Sequence, residues 1–534
     1  MTHNTDLFAN ITWQGDPAAP ALDPPAQRAR LLELDQPLYA LEQAGGIALA
    51  SGGALGAGDG LRLVGAAPAL PLEALGDPSF RRDHGVRAAF YAGAMAGGIA
   101  SEELVIALGR AGLMGSFGAG GCSPARVEAA LAAVQAALPA GPYAFNLLNN
   151  PNDPALEFKT AELYVQRNVP VVEASAYLDI THAVAYYRLS GLSANPDGTV
   201  RIGHRLIAKL SRKEVAQRFL SPAPADLVQR LLDERRITSE QAVLAAQVPV
   251  ADDLTVEADS GGHTDNRPLV TLLPSIMALR DELQRHYNYR QPVRVGAAGG
   301  ISTPQAALAA FILGAAYVVT GSINQACVEA GTSNHTRGLL AQADMADVAM
   351  APAADMFEMG VRVQVLKRGT MFAPRASKLY ELYSRYPSWA EVPPAERERL
   401  EKTVFKRTYE EIWRDTAAFF AERDPAQLAR GNSDPHQQMA LVFRWYLGLS
   451  SRWSNTGEAG REMDYQIWCG PAMGAFNDWV RGTYLEPVAR RRVVDINLQL
   501  LTGAAYLARL RALALQGARL PEELGVYKPE APLE

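Results

Sequence analysis

The chain has few cysteines and no metal-binding pattern. Its 534 residues include only three cysteines, Cys122, Cys327 and Cys469, which are widely spaced and form neither a CxxC motif nor a Cys/His cluster. This pattern excludes a disulfide framework and a zinc site of the usual spacing, and it is typical of a protein from a reducing compartment. We therefore expect no metal site and a cytoplasmic location.

Long apolar runs and an excess of basic charge are also absent. No stretch of about 18 apolar residues occurs, which argues against a membrane-spanning helix. The segment Met1 to Gly15 lacks a basic region followed by an apolar run, so no signal peptide is expected. The net charge of −6 gives no reason to expect a nucleic acid partner. With 48% hydrophobic residues, the chain can build a large core.

Several catalytic motifs are missing as well. No G-x-S-x-G occurs, which excludes the nucleophile elbow of serine hydrolases and acyltransferases. The segment from Gly118 to Gly121 runs into Cys122 and Ser123, so no G-x-G-x-x-G is complete and a Rossmann domain is not expected. Neither H-E-x-x-H nor a P-loop is present. The absence of these motifs leaves one candidate: a phosphate-binding site on a barrel, acting without a covalent nucleophile.

The segment from Val293 to Ser322 is the most regular part of the chain. Two short β-branched runs end in small residues, and the segment from Thr303 to Leu313 between them has helical periodicity, with Pro304 suited to a first turn. This pattern predicts a βαβ unit whose strand exits leave bare amides that can hold a phosphate. The residues of this predicted phosphate site are Gly299, Gly300, Gly321 and Ser322.

From Val86 onward, strand-like and helix-like segments alternate, which is typical of parallel α/β architecture. Eight such steps predict a (β/α)8 TIM barrel over residues 81–350, with its active site on the loops after the strands and a phosphate site after the last two. The predicted strands are Ala88–Gly93, Leu113–Phe117, Tyr143–Leu147, Val169–Ala174, Arg205–Leu210, Asp253–Ala258, Val293–Ala297 and Tyr317–Thr320. The predicted helices between them include Glu102–Arg110, Pro124–Leu138, Pro154–Gln166, Arg212–Phe219, Leu269–Arg285 and Thr303–Leu313.

The remaining segments are predicted to form smaller units around the barrel. Residues 1–80 have short apolar runs between Pro, Gly and Ala clusters, and we expect a small, partly β N-terminal cap. Residues 351–465 are predicted to be a helical insertion subdomain, helical from about residue 355, with long amphipathic runs such as Glu396–Phe420. It is either a solvated helical domain with an aromatic core or a basic surface that binds an acidic protein. Residues 466–534 are expected to return to the barrel as C-terminal helices.

Polar residues at the predicted strand ends are the candidates for chemistry. The turn around Ala94 and Met95 is rich in small residues and would let a flat ring approach the backbone. Asn146 either ties down a loop or contacts a ligand. Glu173 and Lys209 either act in the site or form a structural ion pair.

The sixth predicted strand leads into Asp259-Ser260-Gly261-Gly262-His263. An imidazole on this loop titrates near neutral pH and can donate or accept a proton at carbon. Because the loop would lie beside the predicted phosphate-bearing cofactor, His263 is the leading candidate for a catalytic acid or base.

These motifs together resemble the nitronate monooxygenase and FMN-dependent enoyl reductase superfamily of TIM barrels. Four further segments resemble more narrowly the PfaD family, the trans-acting enoyl reductases of polyunsaturated fatty acid synthases and of polyketide synthases without built-in acyltransferases. The segments are Met350–Gly360 (M-A-P-A-A-D-M-F-E-M-G), Leu366–Phe372 (L-K-R-G-T-M-F), Lys378–Tyr383 (K-L-Y-E-L-Y) and Trp468–Asn477 (W-C-G-P-A-M-G-A-F-N).

The resemblance implies a cofactor and a set of binding residues. FMN would lie across the barrel mouth, with NADPH or NADH as co-substrate. Its phosphate would bind the predicted phosphate site. The flavin ring would lie near Ala94, Met95 and Asn146, with Glu173 and Lys209 also expected among the cofactor-binding residues.

The resemblance also implies a reaction, the reduction of an α,β-unsaturated thioester carried by an acyl carrier protein of a polyketide assembly line. His263 matches the active-site His of the superfamily and would protonate the α-carbon. Lys209 would stabilise charge on the thioester oxygen or on the reduced flavin. The superfamily's usual Glu-Ala-Gly-Gly-His is Asp259-Ser260-Gly-Gly-His here, which argues more against nitronate oxidation than against enoyl reduction. Nitronate monooxygenase activity and a non-catalytic scaffold that binds carrier proteins remain the alternatives.

Overall fold

In the computed structural model, which describes residues 8, 10–16, 18–151 and 153–533, the N-terminal segment forms a five-stranded antiparallel sheet with one helix against it. The strands pair in the order β3-β2-β5-β1-β4. Their bounds are β1 Thr12–Gln14, β2 Leu38–Gln43, β3 Gly46–Ser51, β4 Ala54–Gly56 and β5 Leu61–Ala67, and the helix is α1 Pro24–Leu32. The expected partly β cap is therefore present.

A closed barrel of eight parallel strands follows. The strands up to residue 320 are β6 Phe90–Ala92, β7 Met114–Phe117, β8 Ala144–Leu148, β9 Val171–Ser175, β10 Leu192–Ala194, β11 Val200–Ile202, β12 Arg205–Leu210, β13 Asp253–Glu257, β14 Gly262–His263, β15 Arg294–Ala298 and β16 Val318–Thr320. The barrel order is β12-β13-β15-β16-β6-β7-β8-β9, and β9 closes onto β12. All eight predicted strands are confirmed. The strands β10 and β11 form a separate hairpin.

Helices precede, separate and follow the barrel strands along the chain. They are α2 Pro78–His84, α3 Glu102–Arg110, α4 Pro124–Ala137, α5 Pro154–Gln166, α6 His182–Ser190, α7 Lys213–Leu220, α8 Ala225–Asp233, α9 Ser239–Leu244, α10 Leu269–Tyr287, α11 Pro304–Ile312, α12 Ser322–Gln325 and α13 Asn334–Ala341. Side-chain caps define several starts, because Ser101, Ser123, Asp153 and Thr303 each accept a hydrogen bond from a first-turn amide. The predicted helices are therefore confirmed to within about two residues at each end.

Buried ion pairs plug the N-terminal end of the barrel. The carboxylate of Asp253 accepts hydrogen bonds from both Arg294 Nε at 2.5 Å and Arg294 Nη2 at 3.0 Å, and its Oδ2 lies 2.8 Å from His84 Nε2. Burial alone would raise the pKa of Asp253, but Arg294 and His84 hold it well below its usual range. Phe80 of α2 stacks on Tyr317 below the strands. The opposite, C-terminal end is therefore the end that carries a site.

A short sheet lies over that C-terminal end. The strands β17 Val348–Pro352 and β18 Arg362–Leu366 form an antiparallel hairpin, and β18 also pairs with β14. The prediction that residues from about 355 onward are helical is wrong for β18. Its sequence R-V-Q-V-L alternates with period two, which is typical of a strand, and the buried side chains of Val363 and Val365 fit that pattern.

The helical region after β18 consists of several separate helices. They are α14 Phe372–Arg385, α15 Pro394–Leu400, α16 Tyr409–Arg423, α17 Pro425–Ser433 and α18 Pro435–Thr456. The helical run predicted from Glu396 to Phe420 is wrong as one element, because Lys406 adopts a left-handed conformation with φ 57°. Thr408 then starts α16 with a capping box to Glu411.

The C-terminal helices α19 Pro471–Val480 and α20 Val493–Leu515 return to the barrel. Asn497 of α20 accepts a hydrogen bond from Thr320 Oγ1 at 2.8 Å, next to the end of β16. Arg509 donates hydrogen bonds to the carbonyls of Leu31 and Glu33 in the N-terminal cap. The helix α20 therefore ties the barrel to the cap. Within the described ranges, no helix combines the length and apolar character needed to cross a membrane.

Candidate active site

Three ionisable side chains meet at the C-terminal end of the barrel. The ammonium nitrogen of Lys209 on β12 lies 3.3 Å from Glu257 Oε1 on β13 and 3.5 Å from Glu173 Oε1 on β9. These strands are direct neighbours in the barrel. Burial alone would lower the pKa of Lys209, but the Glu257 and Glu173 carboxylates raise it above its ordinary value. The site therefore holds a fixed positive charge between two carboxylates.

Each carboxylate oxygen of Glu173 has a partner within the protein. Its side chain is fully buried, and Oε2 accepts a hydrogen bond of 2.8 Å from the amide of Ala94, in the loop after β6. The other oxygen faces Lys209. Glu173 therefore holds the Ala94 loop beside Lys209. The Glu173 side chain itself lies beneath the barrel mouth. Its predicted contact with a cofactor stays a prediction.

The loop around Ala94 and Met95 is packed closely against the next strand exit. A Cβ atom on Gly118 would lie 1.7 Å from the carbonyl oxygen of Met95, so the backbone approach requires glycine at this position. The amides of Gly97 and Gly98 donate to the carbonyls of Gly120 and Gly118. Ala94 and Met95 are both half-buried at the mouth.

Asn146 ties strands together through its amide group. Its Nδ2 donates hydrogen bonds of 2.9 Å to both the carbonyl of Glu173 and the hydroxyl of Ser175. Its side chain is 4% exposed. Asn146 therefore has a structural role, but it links two barrel strands and does not tie down a loop as predicted. A ligand contact through the remaining Oδ1 stays a prediction.

His263 stands at the mouth with a carboxylate partner. Its Nε2 lies 3.1 Å from Asp355 Oδ1, and its ring stacks loosely on Trp468 at a centroid distance of 6.3 Å. The side chain is 44% exposed, so it can contact a ligand. Burial alone would lower the pKa of His263, but Asp355 and Glu257 raise it above its ordinary value.

Gln364 and the tail segment support the loop that presents His263. The Nε2 of Gln364 donates to Asp259 Oδ1 at 3.0 Å and to the Ser260 carbonyl at 2.8 Å. A Cβ on Gly261 would lie 2.8 Å from the amide nitrogen of Cys469, so only glycine fits there. The aspartate of this loop, which replaces the superfamily's glutamate, is thus a structural hydrogen-bond acceptor.

The predicted phosphate residues lie at the neighbouring exits of β15 and β16. Gly299 and Gly300 have φ values of 80° and 76°, which favour glycine. In the part of the chain that the structure describes, the amides of Gly299, Gly300, Gly321 and Ser322 donate to no acceptor. A Cβ on Gly300 or Gly321 would meet no atom within 4 Å. Gly300 and Gly321 therefore border open space, which leaves room for an anion beside the unpaired amides of these two strand exits.

Four residues of the site were not singled out from sequence. Glu257 forms part of the strand predicted as Asp253–Ala258, but a single acidic residue at a strand end carries no signal for its partner. Asp355 and Trp468 lie inside the segments that resemble the PfaD family, and Gln364 lies in the missed strand β18. The resemblance marked two of these positions but not their roles.

Three family models match the chain. They are the nitronate monooxygenase family over residues 88–379, the N-terminal domain of fatty acid synthase subunit PfaD over 13–69, and the inserted helical domain of acyl-carrier-protein S-malonyltransferase over 386–465. The nitronate monooxygenase match alone spans more than half of the chain. The matched segments correspond to the barrel, the cap and the helical region.

Two curated relatives belong to fatty acid and polyketide synthesis. The chain is 53% identical over 446 residues to a polyunsaturated fatty acid synthase subunit of Thraustochytrium sp., covering 82% of this chain and 30% of that protein. It is 47% identical over 440 residues to the polyketide biosynthesis protein PksE of Bacillus subtilis, covering 82% of this chain and 57% of that protein. The chain therefore spans less than two thirds of the length of either relative.

A solved structure matches over nearly its whole length. The enoyl reductase domain of MlnA, from the macrolactin biosynthesis cluster of Bacillus amyloliquefaciens, is 38% identical with a TM-score of 0.79. The match covers 83% of this chain and 99% of that domain. The resemblance predicted from the sequence motifs is thus confirmed. The chain belongs to the nitronate monooxygenase family, carries the N-terminal domain of fatty acid synthase subunit PfaD, and is related over most of its length to this enoyl reductase domain.

Proposed function

We propose that this chain is an FMN-dependent enoyl reductase that uses NADPH or NADH to reduce the α,β double bond of enoyl thioesters on an acyl carrier protein. One observation carries the proposal. In a barrel that matches the MlnA enoyl reductase domain, free amides, a fixed ammonium group and an exposed imidazole line neighbouring strand ends. These groups suit a phosphate-bearing cofactor and a reaction that needs charge stabilisation and a proton.

The residues at the barrel mouth fit FMN. The four free amides after β15 and β16 suit its phosphate, because such glycine-rich exits bind phosphate in many barrels. Gly118 lets the backbone of Met95 pack closely against the next strand exit, and the small side chain of Ala94 beside it leaves room for a planar ring. Ala94 and Met95 would lie against the ring, and Asn146 Oδ1 and Lys209 would face its polar edge. Glu173 would act by holding the Ala94 loop.

These positions suggest a separate role for the cofactor and for each side chain of the site. Bound FMN would supply the redox chemistry, moving a hydride equivalent from the nicotinamide to the β-carbon of the thioester. His263 would donate the proton that the α-carbon takes up, so one hydride and one proton add across the double bond. Lys209 would stabilise the negative charge that develops on the thioester oxygen. Trp468 and Asp355 would keep the imidazole in place.

The substrate carrier is proposed from the relatives and from the helical region. PksE is a polyketide biosynthesis protein, and the match over 386–465 is to a domain of an enzyme that acts on acyl carrier proteins. We propose that this chain acts in trans on carrier-bound chains of a polyketide or polyunsaturated fatty acid assembly line. Exposed arginines on the helices, such as Arg414 and Arg452, would attract the acidic carrier.

Two further proposals concern organisation and location. The domain boundaries at 80, 350 and 465 remain proposed, with the short sheet of β17 and β18 near the second boundary.

All three thiols are free, and Cys327 and Cys469 are buried. These free thiols support the proposed cytoplasmic location, because thiols stay reduced there.

One spectroscopic experiment tests the function. The purified protein is examined by absorbance before and after anaerobic NADPH, and then after addition of a crotonyl thioester. We expect flavin bands that bleach with NADPH and return with the thioester in the absence of oxygen. Bleaching that the thioester does not reverse would contradict enoyl reduction. Protein that shows no flavin bands even after FMN is added would support a non-catalytic scaffold.

Nitronate monooxygenase activity is the second candidate, because that family model matches residues 88–379. Such an enzyme would use the same barrel mouth and His263. It would not require the helices at 386–465, since a small nitronate needs no docking surface. Steady-state oxygen consumption with an alkyl nitronate tests it, and turnover well above that with the crotonyl thioester would favour this candidate.

A further inference from the structure

Asp355 reaches His263 from a distant part of the chain. The two residues are 92 positions apart, and Asp355 lies between β17 and β18, in the M-A-P-A-A-D-M-F-E-M-G segment. Its Oδ1 is 3.1 Å from His263 Nε2, while β14 and β18 pair directly and align His263 with Val363. The same hairpin therefore supplies both the strand that holds the His263 backbone and the carboxylate that faces its ring.

The contact assigns roles to the two ring nitrogens. A carboxylate accepts hydrogen bonds, so the Nε2 of His263 is the nitrogen that carries hydrogen toward Asp355. In the described residues, Nδ1 of His263 has no hydrogen-bond partner. With the side chain 44% exposed, Nδ1 is the nitrogen that remains available to a ligand at the mouth. When the ring is protonated, its transferable proton is therefore on Nδ1.

The segment that carries Asp355 is anchored by the helical region. Glu358 Oε1, three residues further on, accepts a hydrogen bond from Arg444 Nη1 of α18 at 3.0 Å. Phe357 between them is fully buried against Tyr380 and Phe443. The position of Asp355 is thus held by side chains of α14 and α18, and not by the barrel alone.

The charges around the imidazole favour its protonated form. Asp355 and Glu257 are the charged groups that act on His263, and both are acidic. Burial alone would raise the pKa of the Asp355 carboxyl, but its hydrogen bond to His263 and, to a smaller degree, the charge of Arg444 lower that pKa below its ordinary value. Trp468 of the tail stacks loosely on the ring, and Val363 of β18 pairs with His263 across the short sheet; both side chains are uncharged. Within the described residues, no cationic group is among the charges that act on His263.

We propose that Asp355 is a positioning residue for His263, which fixes Nε2 and leaves Nδ1 as the nitrogen that delivers the proton to the substrate. This proposal rests on the proposed enoyl reductase function. It also gives the PfaD-like hairpin a role, because the hairpin would complete the proton donor on a barrel that otherwise carries the cofactor. The helical region would support the chemistry by anchoring that hairpin.

The first test measures His263 without relying on turnover. Diethyl pyrocarbonate modifies neutral imidazole, so the rate of His263 modification against pH, followed by peptide mass spectrometry, gives the midpoint of its titration. Replacing Asp355→Asn keeps the size and a hydrogen-bond acceptor but removes the charge. We expect the midpoint to fall by at least about one pH unit. A midpoint unchanged from the native protein would overturn the proposal.

Two variants separate charge from loop anchoring. Glu358→Gln removes an acid from the same segment, but its partner is Arg444 and not His263. We expect this variant to leave the His263 midpoint within about 0.3 pH units, since glutamine keeps an oxygen that can accept from Arg444 and Asp355 keeps its charge. Asp355→Glu should restore most of the shift. A fall in Asp355→Glu as large as that in Asp355→Asn would show that the effect of Asp355 is structural, and would overturn the proposal.

Turnover then tests the role of Nδ1. Because a general acid must be protonated, reduction should decline as pH rises through the His263 pKa. In Asp355→Asn this decline should move to lower pH by the same amount as the modification midpoint. Nδ-methylhistidine at position 263 should slow reduction by about 10²-fold while keeping the Nε2 contact. Normal turnover with that residue would overturn the Nδ1 assignment.

Two results distinguish a wrong function from a wrong role for Asp355. If native protein reduces no enoyl thioester, the proposed function is wrong, whatever the midpoint of His263. If native protein reduces the thioester but Asp355→Asn changes neither the midpoint nor the pH profile, the function stands and the role of Asp355 is wrong. Thermal unfolding of each variant identifies a loss that comes from misfolding.

Discussion

Lys209 Nζ lies 3.3 Å from Glu257 Oε1 and, on its other side, 3.5 Å from Glu173 Oε1. Each of the three residues comes from a different neighbouring barrel strand. The two carboxylates keep the lysine charged at any pH at which the enzyme works, because they raise its pKa above the ordinary value despite burial. A lysine in this environment suits electrostatic stabilisation and not proton transfer.

Replacing Lys209→Met should therefore slow enoyl reduction strongly. The side chain of methionine has a similar length but no charge, so the developing oxygen anion would lose its partner. We expect kcat with a crotonyl thioester to fall by about 10²-fold, the scale for loss of one oxyanion-stabilising group. Stopped-flow reduction of the thioester measures this effect.

The same substitution leaves Glu173 buried without its cation, which can destabilise the fold. A double variant, Lys209→Met with Glu173→Gln, removes both charges and keeps an acceptor for the Ala94 amide. If the double variant folds normally and turns over at the native rate, Lys209 has no role in charge stabilisation.

His263→Ala should leave flavin bound but slow reduction by about 10²-fold or more, the scale for losing a general acid. The matched control is His286→Ala, because His286 is an exposed histidine near the end of α10. Flavin content from the absorbance spectrum and turnover of the thioester are measured for both. Native turnover in His263→Ala would remove His263 from the mechanism.

Gly321→Ala tests the proposed phosphate site. A Cβ at Gly321 meets no protein atom within 4 Å, and the φ of −131° is not left-handed. The methyl group would instead enter the space assigned to the phosphate. We expect FMN affinity to fall by about tenfold, which corresponds to 1.4 kcal/mol, with little change in the melting temperature of the apoprotein.

The control for that variant is Gly338→Ala, which lies inside α13 and also has open space around its Cβ. Alanine at a helix interior should stabilise the chain by up to about 1 kcal/mol and leave FMN binding unchanged. Fluorescence titration of the apoprotein with FMN compares the two variants. Equal affinity in both would place the phosphate elsewhere.

Charge reversal on the helical region tests carrier docking. Arg407 is unsuitable for this test, because its Nη1 is 2.7 Å from Asp415 Oδ2 and its guanidinium lies over the ring of Trp445. Arg414 and Arg452 are exposed and form no ion pair within the described residues. We therefore expect Arg414→Glu with Arg452→Glu to raise KM for a carrier-bound substrate by about tenfold, because like charges then face the acidic carrier.

The location of Arg452 favours this test. Asn455, one turn further along α18, lies against Gly97 at the barrel mouth, since a Cβ on Gly97 would be 3.0 Å from Asn455 Nδ2. A pantetheine thioester should be reduced normally by the double variant. Arg285→Glu with Arg290→Glu, at the end of α10 and just beyond it, provides the same charge change away from the mouth. Equal effects on the carrier-bound and small substrates would exclude docking as the cause.

Asp464 connects the helical region to the tail and should be important for stability. Its buried carboxylate contacts Arg375, accepts from Tyr446 OH at 2.8 Å and lies 3.2 Å from Arg461 Nη1. Asp464→Asn leaves those arginines without their charge partner, and we expect the free energy of unfolding to fall by about 3 kcal/mol. Urea unfolding measures it.

Asp415→Asn is the matched control, because Asp415 pairs with Arg407 on the surface with 54% of its side chain exposed. We expect that variant to change the free energy of unfolding by less than about 1 kcal/mol. A similar loss of unfolding free energy in both variants would mean that the buried contacts of Asp464 contribute no more to stability than the surface pair of Asp415.

Local sequence patterns were sufficient to predict most of the barrel strands and the helices between them. Eight strands and the helices between them could be predicted because alternating apolar residues, N-cap residues and glycine exits act over a few neighbours. The strand β18 was missed because R-V-Q-V-L is short and is followed by a long helical segment. The break at Lys406 was missed because one residue in a left-handed conformation leaves no periodic signal.

The sequence by itself determined the barrel, the family and the loop that carries His263, since those depend on local periodicity and on motifs contiguous in the chain. The tertiary structure alone decided that Asp355 contacts His263, that Glu173 holds the Ala94 amide and that Glu257 shares Lys209. These contacts join residues far apart in the chain. Their partners are chosen by barrel register and by packing of the hairpin on the helices, which no local pattern records.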